Sequence, residues 1–213
     1  MNNQNKKIAI IGGTGKVGRH LAAIAIKNGY QVRMLVRNPE KITYKDEKIE
    51  IVEGHVQNIE TLRELLKDCD FVINTFGQPS KEVPIYSSVT KNILEIMNEL
   101  KISRYIGVSG GSLTISSDKK SIVNRFGAKL LKLLFANMIK DKKWELEILN
   151  RNKEIDWTLI RLPFVKDSFD TQVIKENLIN MPGTKITNQD IANFIIDQLE
   201  KAKYVHKSPF ISH

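Results

Sequence analysis

The sequence predicts an α/β fold: a parallel, doubly wound sheet with helices on both faces. Three observations predict it. Apolar runs of strand length alternate with segments of helical spacing, the pattern of strand, crossover helix and parallel strand. The first run stops on a glycine cluster, IAIIGGTGKVGRH, and resumes as an amphipathic helix. The 213 residues suffice for one substantial core and show no compositional break, so a single domain over 1–213 is expected.

Taken in order, KKIAII is the first strand and KVGRHLAAIAIKNG its helix. QVRMLV and IEIV are the next strands, followed by the helix NIETLRELLKD. DFVINTF precedes the helix PIYSSVTKNILEIMNELK, and RYIGVS precedes a long basic helix around NRFGAKLLKLLFANMIKDKKWELEILNRN. DWTLIRL is the sixth strand. In the last helix, ITNQDIANFIIDQLEKA, Thr187 or Asn188 suits the cap, and Ile191, Phe194, Ile195 and Leu199 form one apolar stripe. The polar loops QPSKEVP and SLTISSDKKS are the flexible candidates for substrate-side elements.

Composition narrows the function classes. No stretch approaches the ~20 apolar residues of a membrane span, and MNNQNKK lacks the apolar core of a secretion signal, so a cytoplasmic location is expected. The single Cys69 makes neither a disulfide frame nor a cysteine metal cluster within one chain. His20, His55, His206 and His213 have no metal-ligand spacing, and no metal is expected. The net charge of +9 draws anions, but its cations are interleaved with acids, as in KDKKWELEILNRNKE, which reads as a solvated helix face. A nucleic-acid groove is therefore not expected.

The glycine cluster suits a phosphate. The first turn of a helix leaves backbone N–H groups unpaired, the peptide dipoles add positive charge, and glycines let the ligand approach. Gly13, Gly15 and Gly18 fit G-x-G-x-x-G, while Gly12, Gly15 and Gly18 fit G-x-x-G-x-x-G. A nucleotide triphosphatase loop is excluded twice: Val17 stands where Ser or Thr would hold magnesium, and Ile10 where the first glycine belongs. The second strand then decides which dinucleotide. NAD sites carry an acid about 20 residues past the glycines, whereas NADP sites carry a base. Here Arg37, 22 positions after Gly15, ends QVRMLVRNPEK with no Asp or Glu in its place. Its guanidinium suits a 2′-phosphate, so NADP is expected over NAD, with Arg33 and Lys41 as helpers. The alternative makes Arg37 a solvated loop residue.

Together IIGGTGKVG, LVRNPEK, EGHVQN, VINTFG, YIGVSGGSL, DWTLIRLPF and ITNQDIANFI resemble the atypical branch of the short-chain dehydrogenase/reductase superfamily. More narrowly, the chain is similar to the NAD(P)H-binding group that includes NmrA-like proteins and flavin reductases of the biliverdin reductase B type. The resemblance implies a Rossmann fold, with the phosphates on Gly12, Gly13, Thr14, Gly15, Lys16, Val17 and Gly18 and the adenosine end near Arg37. It implies an adenine contact at His55, where relatives carry aspartate, and at Val56. Thr75, Phe76 and Gly77 match the stretch lining the cofactor ribose, and Ser109, beside Gly110 and Gly111, faces the nicotinamide. Leu162, Pro163 and Phe164 match the loop over the nicotinamide, although relatives carry Arg-Pro where this chain has Arg161-Leu162-Pro163.

The superfamily's proton donor is a tyrosine with a lysine four residues later on the helix after the fifth strand. Tyr44 and Lys48 have that spacing but lie before the third strand. Tyr86 precedes Lys91 by five residues and sits one helix early, and the expected helix offers Phe126 instead. Two readings remain: a reductase of a small flavin- or quinone-like acceptor that takes its proton from solvent, or a non-catalytic NADP sensor of the NmrA type whose output is a protein partner. Ser109 is the catalytic candidate, orienting a carbonyl or carboxamide, or else a structural hydrogen-bonder. Phe126, Leu130, Leu133, Leu134, Met138 and Trp144 read as a lid over an apolar pocket, as core, or as a dimer face, leaving monomer and homodimer both open.

Overall fold

A computed structural model describes residues 5–42, 44–79, 82–122, 124, 131 and 134–213. The strands are β1 (Lys7–Ile11), β2 (Gln31–Val36), β3 (Ile49–Glu53), β4 (Phe71–Asn74), β5 (Arg104–Gly110), β6 (Asp156–Leu162), β7 (Phe164–Lys166), β8 (Lys175–Asn177), β9 (Lys185–Thr187) and β10 (Phe210–Ser212). The helices described are α1 (Gly18–Lys27), α2 (Ile59–Leu66), α3 (Tyr86–Leu100), α4 (Ala136–Arg151) and α5 (Asn188–Lys201).

The main sheet runs β3-β2-β1-β4-β5-β6-β10-β8, parallel except for the antiparallel β8–β10 edge, and β7 pairs separately with β9. This is the doubly wound α/β fold. The strand order reverses between β1 and β4, and such a crevice takes ligands at the carboxyl ends of the strands.

Side-chain alternation along β1 shows how the layers form. Ile8 and Ile10 enter a cluster with Leu21 and Ala25 of α1 and Ile191 and Ile195 of α5. Ala9 and Ile11 enter the opposite cluster, with Leu62 and Leu66 of α2, Ile93 and Met97 of α3 and Leu149 of α4. Caps fix the helix starts: Asn58 accepts the Thr61 N–H at 3.0 Å, and Thr187 accepts the Asp190 N–H at 3.1 Å. The apolar stripe of the last helix is buried as its spacing predicts.

Four departures from the sequence reading stand out. The three-residue strands β7 to β10 are additions, too short to show a period. SLTISSDKKS is tied down rather than loose: Asp118 pairs with the buried Arg161 at 2.7 and 2.8 Å, and Lys120 Nζ donates to the carbonyls of Gly111 (2.9 Å) and Leu113 (3.1 Å). The stretch KDKKWELEILNRNKE is not a solvated face throughout, because Asp141, Glu145 and Leu149, four residues apart, turn inward. Of the proposed lid, Leu134 and Trp144 are exposed, with the Lys140 ammonium 4.9 Å above the indole; Phe126, Leu130 and Leu133 lie outside the described residues.

Candidate functional site

The glycine turn fills the crevice at the strand reversal. Gly12 has φ +82°, and a Cβ on it would stand 2.7 Å from the Thr75 carbonyl oxygen, so β1 and β4 approach here only because the side chain is absent. A Cβ on Gly18 would overlap the Gly12 carbonyl, so the third glycine lets the helix start pack on the turn. At Gly15 a Cβ would meet only Gly12 O at 3.1 Å and otherwise stand in the cleft. A Cβ on Gly13 would meet the flexible Met34 side chain. The spacing that carries these constraints is Gly12, Gly15 and Gly18.

The Gly15 N–H bonds back to Gly12 O at 2.9 Å, and the Arg19 and His20 N–H groups take the Gly15 and Val17 carbonyls. Among the described residues, no acceptor takes the N–H groups of Lys16, Val17 and Gly18. Open backbone donors at a helix start form an anion site.

Around this turn lies a cleft of about 810 Å³ lined by fifteen residues. Gly12, Thr14, Gly15, Lys16 and Val17 form its base, Leu35, Arg37, Asn38, Lys41 and Val56 one side, and Thr75, Phe76, Gly77 and Gln78 the other. Among the described residues its charged side chains are Lys16, Arg37 and Lys41, without a carboxylate. Asn38 caps the turn Pro39–Lys41 by accepting the Glu40 N–H at 3.1 Å, which brings Lys41 round to the cleft. Arg33 does not join it. Its guanidinium is tied to Glu50 at 2.6 Å and to the Glu64 and Lys67 carbonyls on the opposite edge, which overturns its expected helper role.

Thr75 locks the wall to the base, its N–H and hydroxyl both donating to Ile11 O (2.9 and 3.0 Å). Asn74 Oδ1 accepts the Phe76 N–H at 3.0 Å, and the Tyr86 hydroxyl accepts the Gln78 N–H at 3.3 Å. Gln78 is a lining residue that sequence reasoning missed. Its amide accepts from Ile85 N–H and donates to Val83 O, both at 2.8 Å, and such loop-to-loop bonds leave no period in the sequence.

The remaining expected residues fall elsewhere. His55 is exposed and outside the lining, its Nδ1 3.4 Å from the Gln57 N–H, while its neighbour Val56 is buried against the cleft. Ser109 is buried within β5, and its Oγ has no partner among the described residues. Leu162 ends β6 in the core, and Phe164, 80% exposed, starts β7 past the half-buried Pro163. Tyr44 bonds Asp46 at 3.2 Å on an exposed loop.

Tyr86 has a cationic neighbour, though not from its own helix: Lys142 Nζ of α4 lies 4.0 Å over its ring centroid. Burial, with Glu145 and Asp141 nearby, raises the Tyr86 hydroxyl above its ordinary value. Burial also raises the Glu145 carboxyl, against the pull of Lys142 at 2.8 Å. Among the described residues no cluster of His, Cys, Asp or Glu is arranged for a metal ion, and no helix is long and apolar enough to cross a membrane.

A family model described as NAD(P)H-binding matches residues 12–202. The uncharacterized protein YwnB of Bacillus subtilis (strain 168) is 26% identical over 205 residues, covering 93% of this chain and 94% of its own. A short-chain dehydrogenase/reductase from Veillonella parvula, solved in complex with NADP, superposes with a TM-score of 0.78 at 17% identity, covering 98% of this chain and 94% of its own. A Streptococcus pneumoniae protein provisionally named an NADH-flavin reductase superposes with a TM-score of 0.78 at 20% identity, covering 97% and 98%. The chain belongs to the NAD(P)H-binding family, and its fold is shared by these Rossmann-type neighbours.

Proposed function

We propose that this protein is an NADP-preferring oxidoreductase that reduces a small, planar acceptor of flavin or quinone type. The observation that carries the reading is the charge of the cleft: among the described residues it is lined by three cations, Lys16, Arg37 and Lys41, and no carboxylate. A 2′-phosphate adds charge to the dinucleotide at the adenosine end, where Arg37 and Lys41 follow β2. An NAD-type site would present a carboxylate there, and none of the described residues lining the cleft is one.

On this reading the open N–H groups of Lys16, Val17 and Gly18 hold the pyrophosphate, and Leu35 and Val56 flank the adenine. Thr75, Phe76 and Gly77 border the ribose on the nicotinamide side. Ser109 Oγ, buried and without a partner among the described residues, is the group for a carbonyl or the carboxamide, and Leu162, Pro163 and Phe164 shield that end from water. When bound, the reduced nicotinamide supplies a hydride. Among the described residues no Tyr, His, Asp or Glu lines the cleft, so on this reading the accompanying proton comes from water, which suits a flavin or quinone better than a simple ketone. The Streptococcus neighbour provisionally named an NADH-flavin reductase supports this acceptor class.

The same lack of a proton donor favours a second reading, a non-catalytic NADP(H) sensor acting on a protein partner. One experiment separates them. The purified protein is titrated with NADPH, then given flavin and quinone acceptors while the reduced-nicotinamide absorbance is followed. Turnover establishes the reductase, and saturable binding without turnover against any acceptor establishes the sensor.

A further inference from the structure

A chain of buried polar groups runs from α4 to the wall of the cleft, passing through the Tyr105 hydroxyl at the edge of one core cluster. It starts at Glu145, only 2% exposed on a helix whose exposed charges are Lys140, Lys143, Glu147 and Arg151. Glu145 Oε1 accepts the Thr90 hydroxyl at 3.0 Å, and Thr90 Oγ1 lies 3.5 Å from the Tyr105 hydroxyl. Asn74 Nδ2 donates to that hydroxyl at 2.9 Å, and Asn74 Oδ1 accepts the Phe76 N–H.

A second branch leaves the same carboxylate. Lys142 Nζ lies 2.8 Å from Glu145 Oε2 and donates to Val108 O at 3.3 Å, near the carboxyl end of β5. The ammonium covers the Tyr86 ring, which packs at a tilt against Phe76 (centroids 5.5 Å apart) and whose hydroxyl accepts the Gln78 N–H. Both branches therefore end on Phe76–Gln78, the cleft wall on the nicotinamide side.

A buried carboxylate carries a desolvation cost, offset only where its partners are fixed. Here one charge pair fixes two backbone N–H groups of a loop that faces the cofactor. The charged or titratable groups around Glu145 are Lys142 and Asp141 on its own helix, Tyr86 on α3 and Tyr105 on β5. Asp141 is itself engaged, accepting the Ser87 N–H at 3.1 Å and the Ser87 hydroxyl. Lys142 is thus the sole cation paired with Glu145 among the described residues.

We propose that Glu145 and Lys142 are positioning residues for the cofactor: they hold Phe76–Gln78 against the nicotinamide half of the dinucleotide and set its affinity from outside the cleft. This rests on the dinucleotide reading given above. Removing the Glu145 charge leaves Lys142 unpaired and drawn toward water, which takes its contact from Tyr86 and loosens Gln78. The adenosine half, at Arg37 and Lys41, lies beyond the reach of both branches.

The test compares two ligands on Glu145→Gln, which keeps the size of the side chain and its bond to Thr90. NADPH and adenosine 2′,5′-bisphosphate are titrated calorimetrically into wild type and variant, both checked for a cooperative melt. The expected result is about tenfold weaker NADPH binding, the order of one lost charge-assisted bond, with the bisphosphate affinity unchanged. Thr90→Val and Tyr86→Phe cut one branch each and are expected to weaken NADPH in the same direction by less. They also keep the proposal testable if Glu145→Gln does not fold. Equal weakening of both ligands, or NADPH binding within twofold of wild type in all three variants, overturns the proposal. Wild type that binds neither ligand overturns the dinucleotide reading as well, and is told apart by the wild-type titration alone.

Discussion

Two arginines at strand ends make opposite use of one side chain. Arg161, at the end of β6, is fully buried: it grips Asp118 with two bonds, donates to the carbonyls of Ser208 and Leu178, and stacks 3.5 Å over Phe210. Arg37, just past β2, is exposed at the cleft rim with no side-chain partner among the described residues. A satisfied guanidinium holds structure together, whereas an unsatisfied one at a strand carboxyl end is available to a ligand. Composition treats the two alike. Only their partners separate a residue of the fold from a residue of the site.

The comparison breaks most severely at Asp118. Asp118→Ala leaves the Arg161 charge buried without its counterion, at a cost of about 3–5 kcal/mol. Urea unfolding should show the loss, with NADPH affinity kept in whatever fraction stays folded. Next comes the turn between the two regions. Gly15→Val places a side chain in the cleft while meeting little of the protein, so NADPH affinity should fall more than about 100-fold, or ~2.7 kcal/mol, with the melting temperature nearly intact. The same substitution at Gly18 should damage folding instead, since its Cβ overlaps the Gly12 carbonyl.

Arg37→Asp sharpens the open side. It should weaken NADPH by about 10- to 100-fold, as expected for charged hydrogen bonds, leave NADH within a few-fold and leave stability unchanged. The smallest effect belongs to the core. Burial pushes the Cys69 thiol up to about 12, and its Sγ–H donates to Leu65 O at 3.4 Å. The folded state binds this proton more tightly than the unfolded state, so the thiol's contribution to stability is full below about pH 8.5 and declines as pH rises toward 12. Native protein at pH 8 should therefore resist iodoacetamide, and protein in urea should react readily.

Sequence legibility follows the same division. β1, β2, β4, β5 and β6 were readable because buried parallel strands are long apolar runs, and the glycine turn because its constraints are local. Arg37 was readable by its distance from Gly15. What escaped depends on partners far along the chain. Arg161 meets Asp118 from 43 residues upstream, and Arg33 looked available until Glu50 and the end of α2 claimed it. Tyr86 and Lys142 meet from different helices, so a search for a pair four residues apart passes over both. Glu145 hid among lysines, because the charge pattern of a helix does not say which side of it faces the core.

The most direct test of the central claim is a paired calorimetric titration of the wild type and Arg37→Asp with NADPH and NADH. The wild type should bind NADPH more tightly, and the variant should lose this preference while keeping its NADH affinity. Equal affinity for both dinucleotides in the wild type, or equal losses in the variant, would contradict it.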